Sequence, residues 1–236
     1  MVRKILVCIL GGLLLASLAC RIKKVDIDRG RDPATIVILG SSTAAGTGPR
    51  EIANAWVNRY LAYAESLDAD NRVINLAKGG YTTYHLMPRE HIPGGKRPRP
   101  DPCRSITTAL RLDPDAIIIN LPSNDAAYGY SVEEQLANYD SLLASAGRRD
   151  TPVWITTTQP RNLTIEGRAN LMAMRDSTHA WFGERAIDFW SGLAMEDGSI
   201  DPDYDSGDGV HLNDRAHRIL FQRAVEAGLL ERVTGD

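Results

Sequence analysis

Cysteine is almost absent from this chain. Of its three, Cys8 and Cys20 stand in the first twenty residues, and Cys103 is alone in the remainder. One thiol cannot close an internal disulfide, so a disulfide-stapled scaffold is excluded. Cys103 follows a proline cluster in "RPDPCRS" and reads as a structural or surface thiol rather than a nucleophile. A basic excess is lacking too. Lysine and arginine number 27 against 30 acidic residues, a net charge of −3, whereas a nucleic-acid binder carries a basic footprint. No apolar run reaches the ~20 residues of a membrane span; Ile5–Leu15 is too short. No Gly-Lys-Ser/Thr follows the glycines of "GSSTAAGTG" (40–48) as in a P-loop, and neither G-x-G-x-x-G nor H-E-x-x-H occurs. The G-x-S-x-G elbow is missing, and the five histidines are scattered. No metal and no cofactor are expected.

What is present fits one α/β domain. The chain has 236 residues, 43% of them hydrophobic, enough to bury a substantial core. Its start, "MVRKILVCILGGLLLASLAC", has two basic residues (Arg3, Lys4), an apolar run and small residues before Cys20. That is the pattern of an export signal. Ala19-Cys20 resembles the lipobox of bacterial lipoproteins, with Ser17 where leucine is usual. The resemblance implies lipidation of Cys20 and anchoring in the cell envelope, at the outer membrane or cell surface. The alternatives are plain signal cleavage near Ala19 or an uncleaved anchor. The expected organisation is a signal over 1–20, a charged tether over 21–34 and a single folded domain over 35–236.

From Thr35 onward, short apolar runs alternate with helical patterns. Strands are predicted over Thr35–Leu39, Arg72–Leu76, Asp115–Leu121, Pro152–Thr157 and Ala186–Phe189. Helices are predicted over Ala55–Leu67, Ser105–Leu112, Val132–Ala146, Ile165–Phe182 and Asp214–Ala227. This alternation implies a parallel sheet covered on both faces, with its site at the carboxyl ends of the strands. The stretch "MPREHIPGGKRPRPDP" (87–102) is a basic, proline-rich loop, long for a compact domain. It reads as a solvated excursion, a cover over a site or an anion binder.

The loops after the first three strands carry the chemistry. They read "GSST" (40–43), "NLAKGGYTT" with Gly79-Gly80, and "NLPSNDAAYG" with Asn124-Asp125. Near the end, in "SGDGVHLNDRAH", Asp208 precedes His211 by three residues. Acyl transfer needs a serine, a histidine to take its proton and a carboxylate to hold that histidine. It also needs oxyanion donors, from glycine-rich backbone or an asparagine amide. Each piece alone is usually a turn or cap residue; their order along the strand ends is the signal.

Taken together, "GSSTAAG", "NLAKGGYT", "PSND" and "DGVH" resemble the blocks of the SGNH hydrolases, or GDSL esterases, in the same order. The resemblance implies a flavodoxin-like three-layer α/β/α sandwich with a five-stranded parallel sheet in the order 2-1-3-4-5. By the register of Gly40-Ser41-Ser42 against G-D-S it implies Ser42 as nucleophile, His211 as base and Asp208 as its partner. The Ser42 and Gly80 N–H groups and the Asn124 side chain would form the oxyanion hole. Ser41 stands where the family has aspartate, and Pro122 where it has glycine.

Asp214-Arg215-Ala216-His217 is a second D-x-x-H. Asn213 reads as an N-cap, so Asp214 is explained by the helix dipole and His217 as a helix-face residue. His211, in the preceding loop, is therefore the expected base. Tyr81, Tyr84, Tyr128 and Tyr130 flank two of the loops, as sugar-stacking rings or as plain packing. The expectation is a serine esterase acting on small-molecule or glycan esters, with short-acyl (O-acetyl) carbohydrate esters foremost. The alternatives are a lysophospholipase, thioesterase or acyltransferase of the same family, or a glycan-binding envelope lipoprotein without turnover.

Overall fold

A computed structural model describes residues 33–234. The signal segment, its Cys20 and the tether up to residue 32 lie outside the described residues. Five strands form one parallel sheet: β1 (Thr35–Gly40), β2 (Arg72–Asn75), β3 (Ala116–Asn120), β4 (Val153–Thr156) and β5 (Ala186–Ile187). Their order is β2-β1-β3-β4-β5, as expected.

The alternation of β1 sorts the core. Ile36 and Ile38 face one layer with Ala116, Ile118 and Trp154. That layer holds helices α2 (Trp56–Leu67), α8 (Asp214–Glu226) and α9 (Leu229–Thr234). Val37 and Leu39 face the other with Ile117, Ile119 and Ile155, under α4 (Ile106–Arg111), α6 (Val132–Gly147) and part of α7 (Ile165–Phe182). The central strands are buried on both faces, which is why they read as unbroken apolar runs.

Three one-turn helices interrupt the loops at the strand ends: α1 (Ser42–Ala45), α3 (Thr83–Leu86) and α5 (Asn124–Ala127). The reading of those stretches as loops is corrected: each folds into a single helical turn. A four-residue helix shows no apolar period for a sequence to display. β5 stops at Ile187, two residues short of the expected end, because Asp188 folds back to accept the N–H groups of Trp190 and Ser191.

Candidate active site

The site is built where β1, β3 and β4 end. Gly40 closes β1 against β3 so tightly that a Cβ there would lie 2.5 Å from the Asn120 carbonyl oxygen. Only glycine permits that approach. The chain then turns into α1. Ser41, its N-cap residue, is wholly buried, and its hydroxyl accepts the Asn124 amide at 2.7 Å. Ser42, the first helical residue, is half-buried, so of the two serines it is the one open to solvent.

The second loop comes close to Ser42: a Cβ on Gly79 would stand 3.8 Å from that of Ser42. Gly80, an exposed residue, turns the chain with φ +82°. Asp125 holds this loop in place. Its buried carboxylate accepts the Thr83 N–H at 3.1 Å and the Thr83 hydroxyl at 2.6 Å. Burial pushes that carboxyl up to about 6, although the Thr83 bonds oppose it.

In the last loop, Asp208 Oδ2 meets His211 Nδ1 at 2.6 Å. Its Oδ1 accepts the N–H groups of Val210 and His211 at 2.9 and 2.8 Å. Partial burial pushes the Asp208 carboxyl up. The backbone N–H and ring of His211, with Val210, outweigh it and hold the group well below the usual carboxylate range. With Nδ1 bound to a carboxylate, Nε2 is the ring nitrogen left to accept a proton. A Cβ on Gly48 would come within 3.3 Å of the His211 Cβ, so the loop leaving α1 abuts the histidine.

His217 sits elsewhere, in α8 as expected, on the face that the helix buries. It is fully buried, and its Nδ1 accepts the N–H of Trp56 at 3.1 Å. That N–H is the first of α2, whose N-cap, Ala55, offers no side-chain acceptor. Burial, opposed by the Thr47 carbonyl, lowers the His217 ring to about 4; it is a neutral cap, not a base. Asn213 does cap α8, accepting from Arg215 and Ala216, while Asp214 turns back to bind the Arg50 N–H and the Asn54 amide.

The Asn124 amide is engaged. Nδ2 donates to Ser41 Oγ and, at 2.9 Å, to the Tyr81 carbonyl. Oδ1 accepts from Arg161 Nη1 at 3.1 Å. Since arginine only donates and a carbonyl only accepts, this fixes which amide atom is which. Arg161 belongs to the loop after β4, which the sequence motifs did not single out. In the same loop, Gln159 accepts the hydroxyl of Thr43, next to Ser42, at 2.8 Å and donates to the carbonyl of Val210, next to His211, at 3.1 Å. The Asn162 N–H reaches the Gly209 carbonyl at 2.8 Å. This fourth loop therefore binds three of the others together.

The basic stretch 87–102 walls a cavity of about 300 Å³ beside Gly80, where Lys96 and Pro98 face Thr82, His85, Tyr128 and Tyr130. Arg97 pins it, forking onto Glu134 at 2.6 and 2.8 Å and lying 3.9 Å over the Tyr130 ring. Tyr81 is buried against His85 and hydrogen-bonds Asp101, Tyr84 binds Glu134, and Tyr130 lies beneath Arg97. Three of the four tyrosines are thus packing residues; Tyr128, 63% exposed, is the ring available for stacking.

A half-exposed serine, a paired aspartate and histidine, and glycine and asparagine loops, all on a 2-1-3-4-5 sheet, define the SGNH hydrolase class. The sequence profile of the GDSL-like lipase/acylhydrolase family matches residues 38–219. The chain belongs to that family and is a carboxylic ester hydrolase. Solved structures share the fold. A variant of an acetyl-xylooligosaccharide esterase from Geobacillus superposes with TM-score 0.63 at 15% identity, covering 82% of this chain and 93% of that one. The psychrotrophic esterase EstA of Pseudoalteromonas gives 0.58 at 16%, over 86% and 100%. A two-domain esterase active on acetylated mannans gives 0.57 at 15%, over 86% of this chain and 50% of that one. No curated protein matches the chain in sequence.

Proposed function

We propose that this protein hydrolyses short-acyl esters, O-acetyl groups on carbohydrate foremost, through an acyl-enzyme on Ser42. The observation that carries the mechanism is the half-exposed Ser42 beside Gly79, on a loop that Gln159 ties through Thr43 and Val210 to the one holding the Asp208–His211 pair. His211 Nε2 takes the Ser42 proton as Oγ adds to the ester carbonyl, and Asp208 stabilises the imidazolium. The oxyanion takes the N–H groups of Ser42 and Gly80 and the Asn124 hydrogen that otherwise rests on Ser41. Ser41 suits that exchange. A neutral hydroxyl holds an N–H about half as strongly as the carboxylate the family places there. His211 returns the proton to the departing alkoxide, and water repeats the sequence to release the acid.

The short-acyl preference rests on the cavity beside Gly80. Its walls are polar and aromatic, and they offer no apolar trough along which each methylene would gain ~0.8 kcal/mol. The acetyl-xylooligosaccharide esterase and the esterase active on acetylated mannans, both of like fold, support the same substrate class. Export and a lipid anchor at Cys20 would place the enzyme where envelope or environmental glycans are met. Measuring kcat/KM on p-nitrophenyl esters from acetate to palmitate, with acetylated oligosaccharides alongside, tests the reading. Rates that climb with chain length overturn the short-acyl preference, and an active Ser42→Ala protein overturns the mechanism.

A further inference from the structure

The geometry points to Arg161 as a specificity residue that reads a carboxylate on the sugar carrying the ester, so that the preferred substrate is an acylated acidic saccharide. This rests on the esterase reading above and adds the charge of the substrate.

Arg161 stands at the site itself, donating through Nη1 to Asn124 Oδ1 and, at 3.4 Å, to Ser123 Oγ. Those contacts occupy one nitrogen. Nε is buried and has no hydrogen-bond partner. Among the described residues Arg161 makes no ion pair. Asp208 is the carboxylate whose field reaches it, and both Asp208 oxygens are already taken by the His211 loop. A half-buried guanidinium without a counter-ion is costly to keep. Nη2, which carries no hydrogen bond among the described residues, is the guanidinium nitrogen left to meet a carboxylate.

The surroundings add to this. Lys78, two residues before Gly80, and Lys96 are exposed, and Lys96 lines the cavity with Gly80. The third cation there, Arg97, is neutralised by Glu134. The chain as a whole carries a net charge of −3, yet Lys96 joins Arg161 at the site without an ion pair among the described residues, while Lys78 is offset by Asp101. Such a field concentrates anionic ligands. Tyr128 lines the cavity and also lies within electrostatic reach of Arg161. A saccharide ring stacked on Tyr128 would therefore carry its substituents between the cavity and the guanidinium.

The test compares two acetylated oligosaccharides of equal length, one neutral and one bearing a uronic acid, on wild type, Arg161→Gln and Arg161→Lys. Arg161 also props Asn124, so Arg161→Gln lowers turnover of both substrates; the readout is the acidic-to-neutral ratio of kcat/KM, from which the common loss cancels. We expect a wild-type ratio of ten or more that falls toward one in Arg161→Gln, is partly kept in Arg161→Lys, and shrinks with added salt. A wild-type ratio near one, or a ratio unchanged in a folded Arg161→Gln protein, overturns the assignment. So does faster turnover of lysophosphatidylglycerol than of the acidic oligosaccharide. Calorimetric binding of a deacetylated glucuronate oligosaccharide separates this from the esterase reading. If no ester turns over, that reading fails, whereas binding by wild type and not by Arg161→Gln still upholds the role of Arg161. Absence of binding to wild type overturns it.

Discussion

Replacing His217 and His211 separately distinguishes a structural histidine from a catalytic one. In His217→Ala the first N–H of α2 loses its acceptor, and a buried unpaired N–H costs about 1–3 kcal/mol. The missing ring adds a cavity, and large-to-small changes in a core cost about 2–5 kcal/mol in all. A total near 4 kcal/mol in a domain of this size lowers Tm by roughly 8–16 °C, at about 2–4 °C per kcal/mol. Among molecules that remain folded, ester turnover stays within a few-fold of wild type. His211→Ala should do the reverse, with Tm almost unchanged and kcat falling by about 10⁶-fold, as loss of a triad histidine does. The pH dependence gives a second reading. The folded His217 ring titrates at about 4, below the ordinary ~6.5. As pH falls between those values the unfolded chain takes the proton first, so stability is full above ~6.5 and is lost toward 4, by about 3 kcal/mol. Asp125 works in the opposite sense over much of the same window, so the difference between wild type and His217→Gln is the quantity to measure, by urea unfolding at pH 4 and 7.5. The glutamine amide of that variant would still accept the Trp56 N–H but would not titrate. A folded His217→Ala protein with native Tm and no activity would refute this reasoning and exchange the roles of the two histidines.

Ser42→Ala should abolish ester hydrolysis and fluorophosphonate labelling, whereas Ser41→Ala, which removes only a buried acceptor for Asn124, keeps a measurable rate in the same assays. Asp125→Asn should remove one contribution to the pH dependence of stability. With its carboxyl raised to about 6, the folded protein binds a proton that the unfolded chain has lost, so the contribution of Asp125 to stability falls by about 3 kcal/mol as pH rises from ~4 to ~6. His217 offsets that fall in wild type, so urea unfolding across the range should show the Asn variant gaining stability with pH where wild type stays nearly level, and the difference between the two is the readout. Cys20→Ser should release the exported protein from membranes or leave its signal uncleaved, as fractionation and intact mass will report.

The sheet was legible because its chemistry is local. Two-sided burial makes Ile36 to Leu39 and Ile117 to Ile119 continuous apolar runs, and each is followed by the glycines and polar residues of a turn. The Asp208–His211 pair was legible for a similar reason: three residues of one loop suffice to bring carboxylate and ring together. Asn213 marked the start of α8 through its own side chain. The role of His217 was not legible. Its partner is the N–H of Trp56, 161 residues away, and a backbone donor at an uncapped helix start leaves no mark on the sequence. The partners of Asn124 were hidden for a like cause, since the Ser41 hydroxyl and the Tyr81 carbonyl that receive its amide belong to two other loops.

The loop after β4 shows how far a motif-based reading can reach. "TTQPRN" contains no nucleophile, base or glycine turn, and by residue type alone it is a connection between a strand and a helix. Topology gives it weight. β4 lies next to β3 in the sheet, so its carboxyl end opens beside the loop that carries Asn124, and a residue there with two polar ends can span its neighbours. Gln159 does so, with its oxygen on Thr43 and its nitrogen on Val210. An acid of the same length would keep the first contact and lose the second, because a carboxylate cannot donate. Arg161 reaches the third loop with one nitrogen and keeps the rest of its fork unpaired. The candidate triad and oxyanion groups come from blocks separated by long stretches of chain. What holds them in one register is a segment whose side chains never need to touch the ester carbonyl, and such residues are found only once the strands have been put in order.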